Sequence, residues 1–160
     1  MNIKEVQSLI DPLIPKAYKF AYAIVPSAQK ASELIADSYS VLLVKELNFI
    51  EATEFSKNKQ TQKSLKRFFL CGLMREMLAM SSKKPLEISS CVAKVGYEFQ
   101  AFYKLSVLHR SVLTLKDKLN FSEELISQVT GLKKHQVVEC LYNGRELLNI
   151  NDQEEVGLYE

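Results

Sequence analysis

Breakers are scarce in this chain: five glycines and four prolines in 160 residues leave few points at which a helix has to stop. The three cysteines, Cys71, Cys91 and Cys140, are scattered without the spacing of a metal site. They read as reduced cytosolic thiols, two of them on apolar helix positions. No glycine-rich phosphate loop, no paired metal ligands and no nucleophile–base arrangement stand at motif spacing, which argues against an enzyme, a cofactor or a small-molecule substrate. Asp11 and Pro12 interrupt the run that a signal peptide needs, and no apolar stretch approaches the length of a membrane span. A soluble, cytoplasmic protein without membrane insertion is expected. A net charge of +2 is too small to announce a nucleic-acid partner, so the distribution of charge has to decide that. With 47% hydrophobic and 25% charged residues the chain is globular, long enough for one sizeable domain or two small helical ones.

What is present is helical periodicity. Residues Met1 to Ser8 carry a weak pattern and read as a lead-in. Asp11 and Pro12 start a first helix, with Leu13, Ala17, Phe20, Ala21 and Ile24 on one side. Pro26 ends it and Ser27 caps a second, to about Glu46, with Ala31, Leu34, Ile35, Ser38, Val41 and Leu42 inward. Glu33, Asp37 and Ser40 fall on its other face. The polar stretch from Asn48 to Thr61 reads as a loop with a short helical turn. Leu65, Phe69, Leu73, Met77 and Met80 mark a third helix, from about Thr61 to Ser82. Pro85, Ser89, Ser90 and Gly96 mark a linker.

From Leu105 to Leu148 the punctuation is that of a helix-turn-helix. Ser122 is placed to cap a helix whose first turn carries Glu123 and Glu124, where acids suit the helix dipole. Ile126 and Val129 point inward, and Ser127 is small where a second helix crosses. Gly131 supplies the left-handed turn. The next helix, about Lys133 to Leu148, keeps Val137, Leu141 and Leu148 on one side. In a DNA-binding unit the start of such a helix enters the major groove; in a plain α-helical hairpin it is packing alone. The pattern by itself leaves both readings open.

Leu105-Ser-Val-Leu-His-Arg110-Ser-Val112-Leu113-Thr-Leu115 resembles the opening of the fourth conserved region of bacterial sigma factors. That region runs Leu-Pro-x-x-x-Arg-x-Val-Leu-x-Leu before its helix-turn-helix, and Val137, Leu141, Arg145 and Leu148 match its end. Ala31-Ser-Glu33-Leu34-Ile35-Ala-Asp37-Ser-Tyr39-Ser-Val-Leu42 resembles the second conserved region in register. Phe69-Leu70-Cys-Gly-Leu73-Met-Arg75-Glu76, followed by Lys83 and Lys84, continues it. The resemblance is to the small, extracytoplasmic-function group and covers roughly residues 13–84 and 101–149. Departures are Ser106 for the family's Pro, Lys133 for a capping Ser or Thr, and Val138 and Glu139 for a Lys-Ser pair. In addition, Glu76 and Met80 stand for the family's Asn and Asp.

The resemblance implies an all-α fold of two small helical domains: residues 1–84, a linker 85–98, a helix-turn-helix domain 99–150 and an acidic tail 151–160. It implies a sigma factor that binds core RNA polymerase through Glu33, Asp37 and Ser40 and recognises promoter DNA. Lys133, Lys134, His135, Gln136, Glu139 and Asn143 are the residues expected at the duplex, and an anti-sigma factor is a further implied partner. Eight bases from Lys57 to Lys84 stand against one acid. Among them Lys63, Lys66, Arg67, Arg75, Lys83 and Lys84, interleaved with Phe68 and Phe69, suit an opened strand; a solvated face over core phenylalanines is the plainer account. Glu76 and Met80, taken to face that strand, predict poor promoter melting. Arg110 is expected to support helix packing or to hold a phosphate. The rival readings are a sigma-like adapter or antagonist that binds polymerase without melting DNA, and a helix-turn-helix repressor that dimerises through its N-terminal helices.

Overall fold

A computed structural model describes residues 3–52, 59–83 and 95–156, and among these the fold is all-α, without a strand. Helix α1 (Ile3–Ile10) runs through a 3-10 turn (Asp11–Leu13) into α2 (Ile14–Ile24). Then come α3 (Ala28–Ala52) and α4 (Lys59–Lys83), each 25 residues long. The second half contains α5 (Tyr97–Lys104), α6 (Val107–Leu113), a π-helical turn (Thr114–Lys118), α7 (Glu123–Thr130) and α8 (Lys134–Val156). Cys91, Lys84 and most of the expected linker lie outside the described residues.

Two expectations need correction. The stretch read as a lead-in is helix α1, which buries Val6, Leu9 and Ile10. These residues and Leu13 recur at i, i+3, i+4 and i+7, the spacing of one helix face, and α4 covers that face. The stretch read as a loop from Asn48 is partly helical, because α3 runs on to Ala52. No glycine or proline between Glu46 and Ala52 stops it. The other apolar stripes fall where periodicity put them, except that Val41 of α3 is only half-buried and stands outside the core. Ala17, Phe20, Ala21 and Ile24 of α2, Leu34, Ile35 and Leu42 of α3, and Leu65, Phe69, Leu73 and Met77 of α4 are buried.

The two halves pack on each other. Helix α2 lies against α6, and α4 lies against α7, so one continuous core joins Phe20, Ile24 and Leu73 to Val112, Leu115 and Ile126. Three side-chain hydrogen bonds to backbone carbonyls span the junction. Tyr103 Oη donates to the Tyr22 carbonyl at 2.9 Å, and Arg75 Nε to the Gln128 carbonyl at 3.0 Å. Arg110 Nη2 donates to the Ile24 carbonyl at 3.0 Å. Arg110 is 1% exposed, and its Nη1 also reaches the carbonyls of Tyr103 (2.9 Å) and Leu105 (3.2 Å). Its role here is packing, not the holding of a phosphate. Burial lowers the guanidinium's pKa, with Tyr103 acting the other way. The Tyr103 ring lies 5.3 Å from the guanidinium carbon, close enough for a cation–π contact.

Candidate functional site

The helix-turn-helix is built from local chemistry. Ser122 Oγ accepts from the Leu125 amide, capping α7, and Gly131 closes it with φ of 76°, a conformation glycine adopts at little cost. Lys133 has no capping side chain, and the deficit is met from inside the helix: its amide donates to Gln136 Oε1 at 2.9 Å. Upstream, Ser106 stands where the sigma pattern has proline, and its Oγ accepts from the His109 amide at 3.2 Å to cap α6. The π turn's wide ring, closed by Leu119 N–H to the Thr114 carbonyl, buries Leu115 while leaving Asp117 exposed.

Helix α8 turns Val137, Cys140 and Leu141 into the core and leaves Lys134, His135, Gln136, Glu139 and Asn143 exposed, together with Lys133 just before it. Two of the expected duplex contacts are already engaged. Lys134 Nζ pairs with Glu124 Oε1 at 2.6 Å, and Gln136 serves as the cap. The Lys134 hydrogen bond is the main reason the Glu124 carboxyl is held down to about 2, while Lys134 itself is pushed up by the same contact. Neighbouring ion pairs join Lys116 to Glu123 at 2.5 Å and Arg145 to Asp117 at 2.7 Å. From Lys116 to Glu146 five bases are matched by five acids, so this surface carries no net charge to draw in a polyanion.

On α4, Lys63 and Arg67 are exposed one turn apart, and Lys66 is half-buried. Arg75 is exposed, but its Nε is bonded to the last turn of α7, which brings it to the helix-turn-helix rather than to the other α4 bases. The side chains of Lys83 and Lys84 lie outside the described residues. Glu76 and Met80 do not face a strand. Glu76 is 9% exposed, and Lys45 Nζ donates to both of its oxygens at 2.7 Å. Met80 Sδ accepts from Ser38 Oγ at 3.3 Å. Both belong to the stripe Leu73, Glu76, Met77 and Met80, whose i, i+3, i+4, i+7 spacing points them at α3. The spacing was legible in the sequence; the partners Lys45 and Ser38, from a separate helix, were not.

Glu33, Asp37 and Ser40 share the exposed side of α3, with Gln29 Nε2 donating to Glu33 Oε1 at 2.9 Å and Ser40 Oγ donating to its own helix at the Ala36 carbonyl. Beside them an open apolar groove runs between α3 and the start of α2, lined by Ile10, Ile14, Tyr18, Ile35 and Tyr39. Sequence reasoning met Val138 only as a departure from the family's pattern and passed over Tyr142. Val138 and Tyr142 are 54% and 65% exposed, and the available signal was that they lie off the stripe formed by Val137, Leu141 and Leu148.

No helix among the described residues is long and apolar enough to cross a membrane. No family model and no curated protein matches the chain. Among solved structures, its fold is similar to that of the sigma factor RpoE from Bartonella quintana, determined in complex with the anti-sigma factor NepR. The TM-score is 0.64 over 94% of this chain and 98% of that one, at 18% sequence identity, a likeness of fold.

Proposed function

We propose that this chain is a sigma-type factor that joins core RNA polymerase and directs it to promoters. The observation that carries this reading is the likeness of fold over 94% of the chain. The two sequence resemblances, found in the same order along the chain, support it. In this reading the exposed side of α3, with Glu33, Asp37 and Ser40, meets the polymerase. Lys63, Lys66 and Arg67 hold the phosphates of the upstream strand, and the start of α8 enters the major groove, with Lys133 at the backbone. An anti-sigma factor is a proposed partner, by analogy with the complex in which RpoE was solved. The chain is not proposed as an enzyme, and its place of action is the cytoplasm, with the polymerase.

The neutral surface of the helix-turn-helix favours one second reading, a sigma-like adapter that binds polymerase without engaging DNA. A single pair of measurements separates the two. The purified chain is expected to bind core polymerase and to direct transcription from a subset of genomic fragments. Changing Glu33 and Asp37 together to Lys should weaken core binding about tenfold, the order expected for reversing two contact charges, with helicity kept. Unchanged affinity rejects this docking face, and binding without transcription leaves the adapter.

A further inference from the structure

Two apolar side chains of α8 are more than half exposed. Val138 and Tyr142 are one turn apart, so they share one side of the helix. Next to the buried Val137, Cys140 and Leu141, they border an open groove that Lys116, Glu123 and Arg145 also line. Tyr142 Oη reaches Glu146 Oε1 at 3.3 Å, which ties the ring along the helix. The charged groups around the pair are already matched, Lys116 with Glu123 and Arg145 with Asp117. This flank therefore offers apolar contact and no seat for a phosphate. Glu139, next to Val138 and exposed, would repel a phosphate outright.

An acid beside an apolar pair on the second helix of a helix-turn-helix suits the edges of bases. In the major groove the only apolar group on any base pair is the C5-methyl of thymine, and the N4 amino group of cytosine is a donor that a carboxylate accepts. Lys133, just ahead of α8, remains exposed for the phosphates at the groove's border. We propose that Val138 and Tyr142 are specificity residues that pack on thymine methyl groups, with Glu139 accepting from an adjoining cytosine N4. The inference rests on the sigma-type reading above, and it names what the helix selects: a thymine-bearing, pyrimidine-containing step.

The test uses the full chain bound to core RNA polymerase and two random duplex pools, one with thymine and one with deoxyuridine in its place. Deoxyuridine keeps every hydrogen-bonding group and lacks only the methyl. Sites recovered from the thymine pool should share a thymine step, and that preference should fall about fourfold per methyl in the deoxyuridine pool, the worth of one buried methyl-sized group. Val138→Ser should reduce the difference between the pools, and Val138→Ser with Tyr142→Ser should erase it; both side chains are largely solvent-exposed, and retained helicity checks the fold. The same preference in both pools overturns the inference and leaves the sigma-type reading standing. No preference in either pool overturns that reading, and the inference with it. If Val138→Ser and Tyr142→Ser instead weaken core-polymerase binding, the pair is a protein-docking surface, and the base-reading role is rejected.

Discussion

Arg110 carries a positive charge into the core, and its three hydrogen bonds all go to backbone carbonyls: Ile24 from one half of the chain, Tyr103 and Leu105 from the other. A guanidinium suits this place because its donors are fixed in a plane and fan out to separate acceptors. Replacing it with Met keeps much of the volume and leaves three carbonyls without their donor, each worth about 1 kcal/mol. Arg110→Met is therefore expected to cost about 3 kcal/mol, a fall in Tm of roughly 6–12 °C for a chain of this size, read by thermal unfolding. Arg110→Lys should recover little, since one ammonium cannot span the same acceptors. A Tm unchanged within a degree or two would mean that the carbonyls find other partners.

The helix-turn-helix hairpin is an element whose ends are set by single residues. Gly131 at φ 76° has nothing within 4 Å of where a Cβ would stand, so any penalty for a side chain there is conformational rather than steric. Gly131→Ala should cost about 1 kcal/mol and Gly131→Asn less, measured by chemical denaturation. Gly144 differs: a Cβ there would meet His109 and Leu113 at 3.3 Å, because α8 crosses close over α6. The Glu124–Lys134 pair bridges the hairpin's two helices and makes it sensitive to acid. Because the folded Glu124 carboxyl is depressed from 4.5 to about 2, its stabilising share is present above about pH 4.5 and is lost as pH falls through 2. The difference in stability between the wild type and Glu124→Gln should shrink across that window, and added salt should shrink it at neutral pH, since both partners are exposed. A difference independent of pH would reject the pair as its source. The capping serine and the turn glycine were legible in the sequence because each acts on its immediate neighbours. The pairing of Glu124 with Lys134 was not, since it depends on the angle at which the two helices meet.

At the scale of the molecule, a continuous core joins the two halves, so they are expected to unfold together. The segment expected from its Pro, Ser and Gly content to admit proteases lies between Pro85 and Tyr97. With a specific protease site engineered there, cleavage should give two fragments that elute together on size exclusion, held by α2 on α6 and α4 on α7. Adding Arg110→Met to the cleaved protein should let them separate. Fragments that separate at once would mean that the shared core contributes little to association. The proposed entry of α8 into a major groove and docking of α3 on polymerase would both use faces that this packing leaves exposed.

The sequence by itself determined the all-α class, the stripes of α2, α3 and α4, the Ser122 cap, the Gly131 turn and the outward faces of α3 and α8. All of these follow from period and neighbouring residues, within reach of a single helix. Tertiary structure decided what depends on a partner brought from elsewhere in the chain. It made α1 a helix by giving Val6 and Leu9 a surface to cover. It turned Glu76 from a supposed strand contact into the partner of Lys45, and Arg110 into a link between the halves. It also engaged Lys134 with Glu124 while leaving Val138 and Tyr142 open. A charge or an apolar side chain has no fixed meaning until burial and a partner set whether water, a carbonyl or a carboxylate faces it, and those partners stand on other elements of the fold.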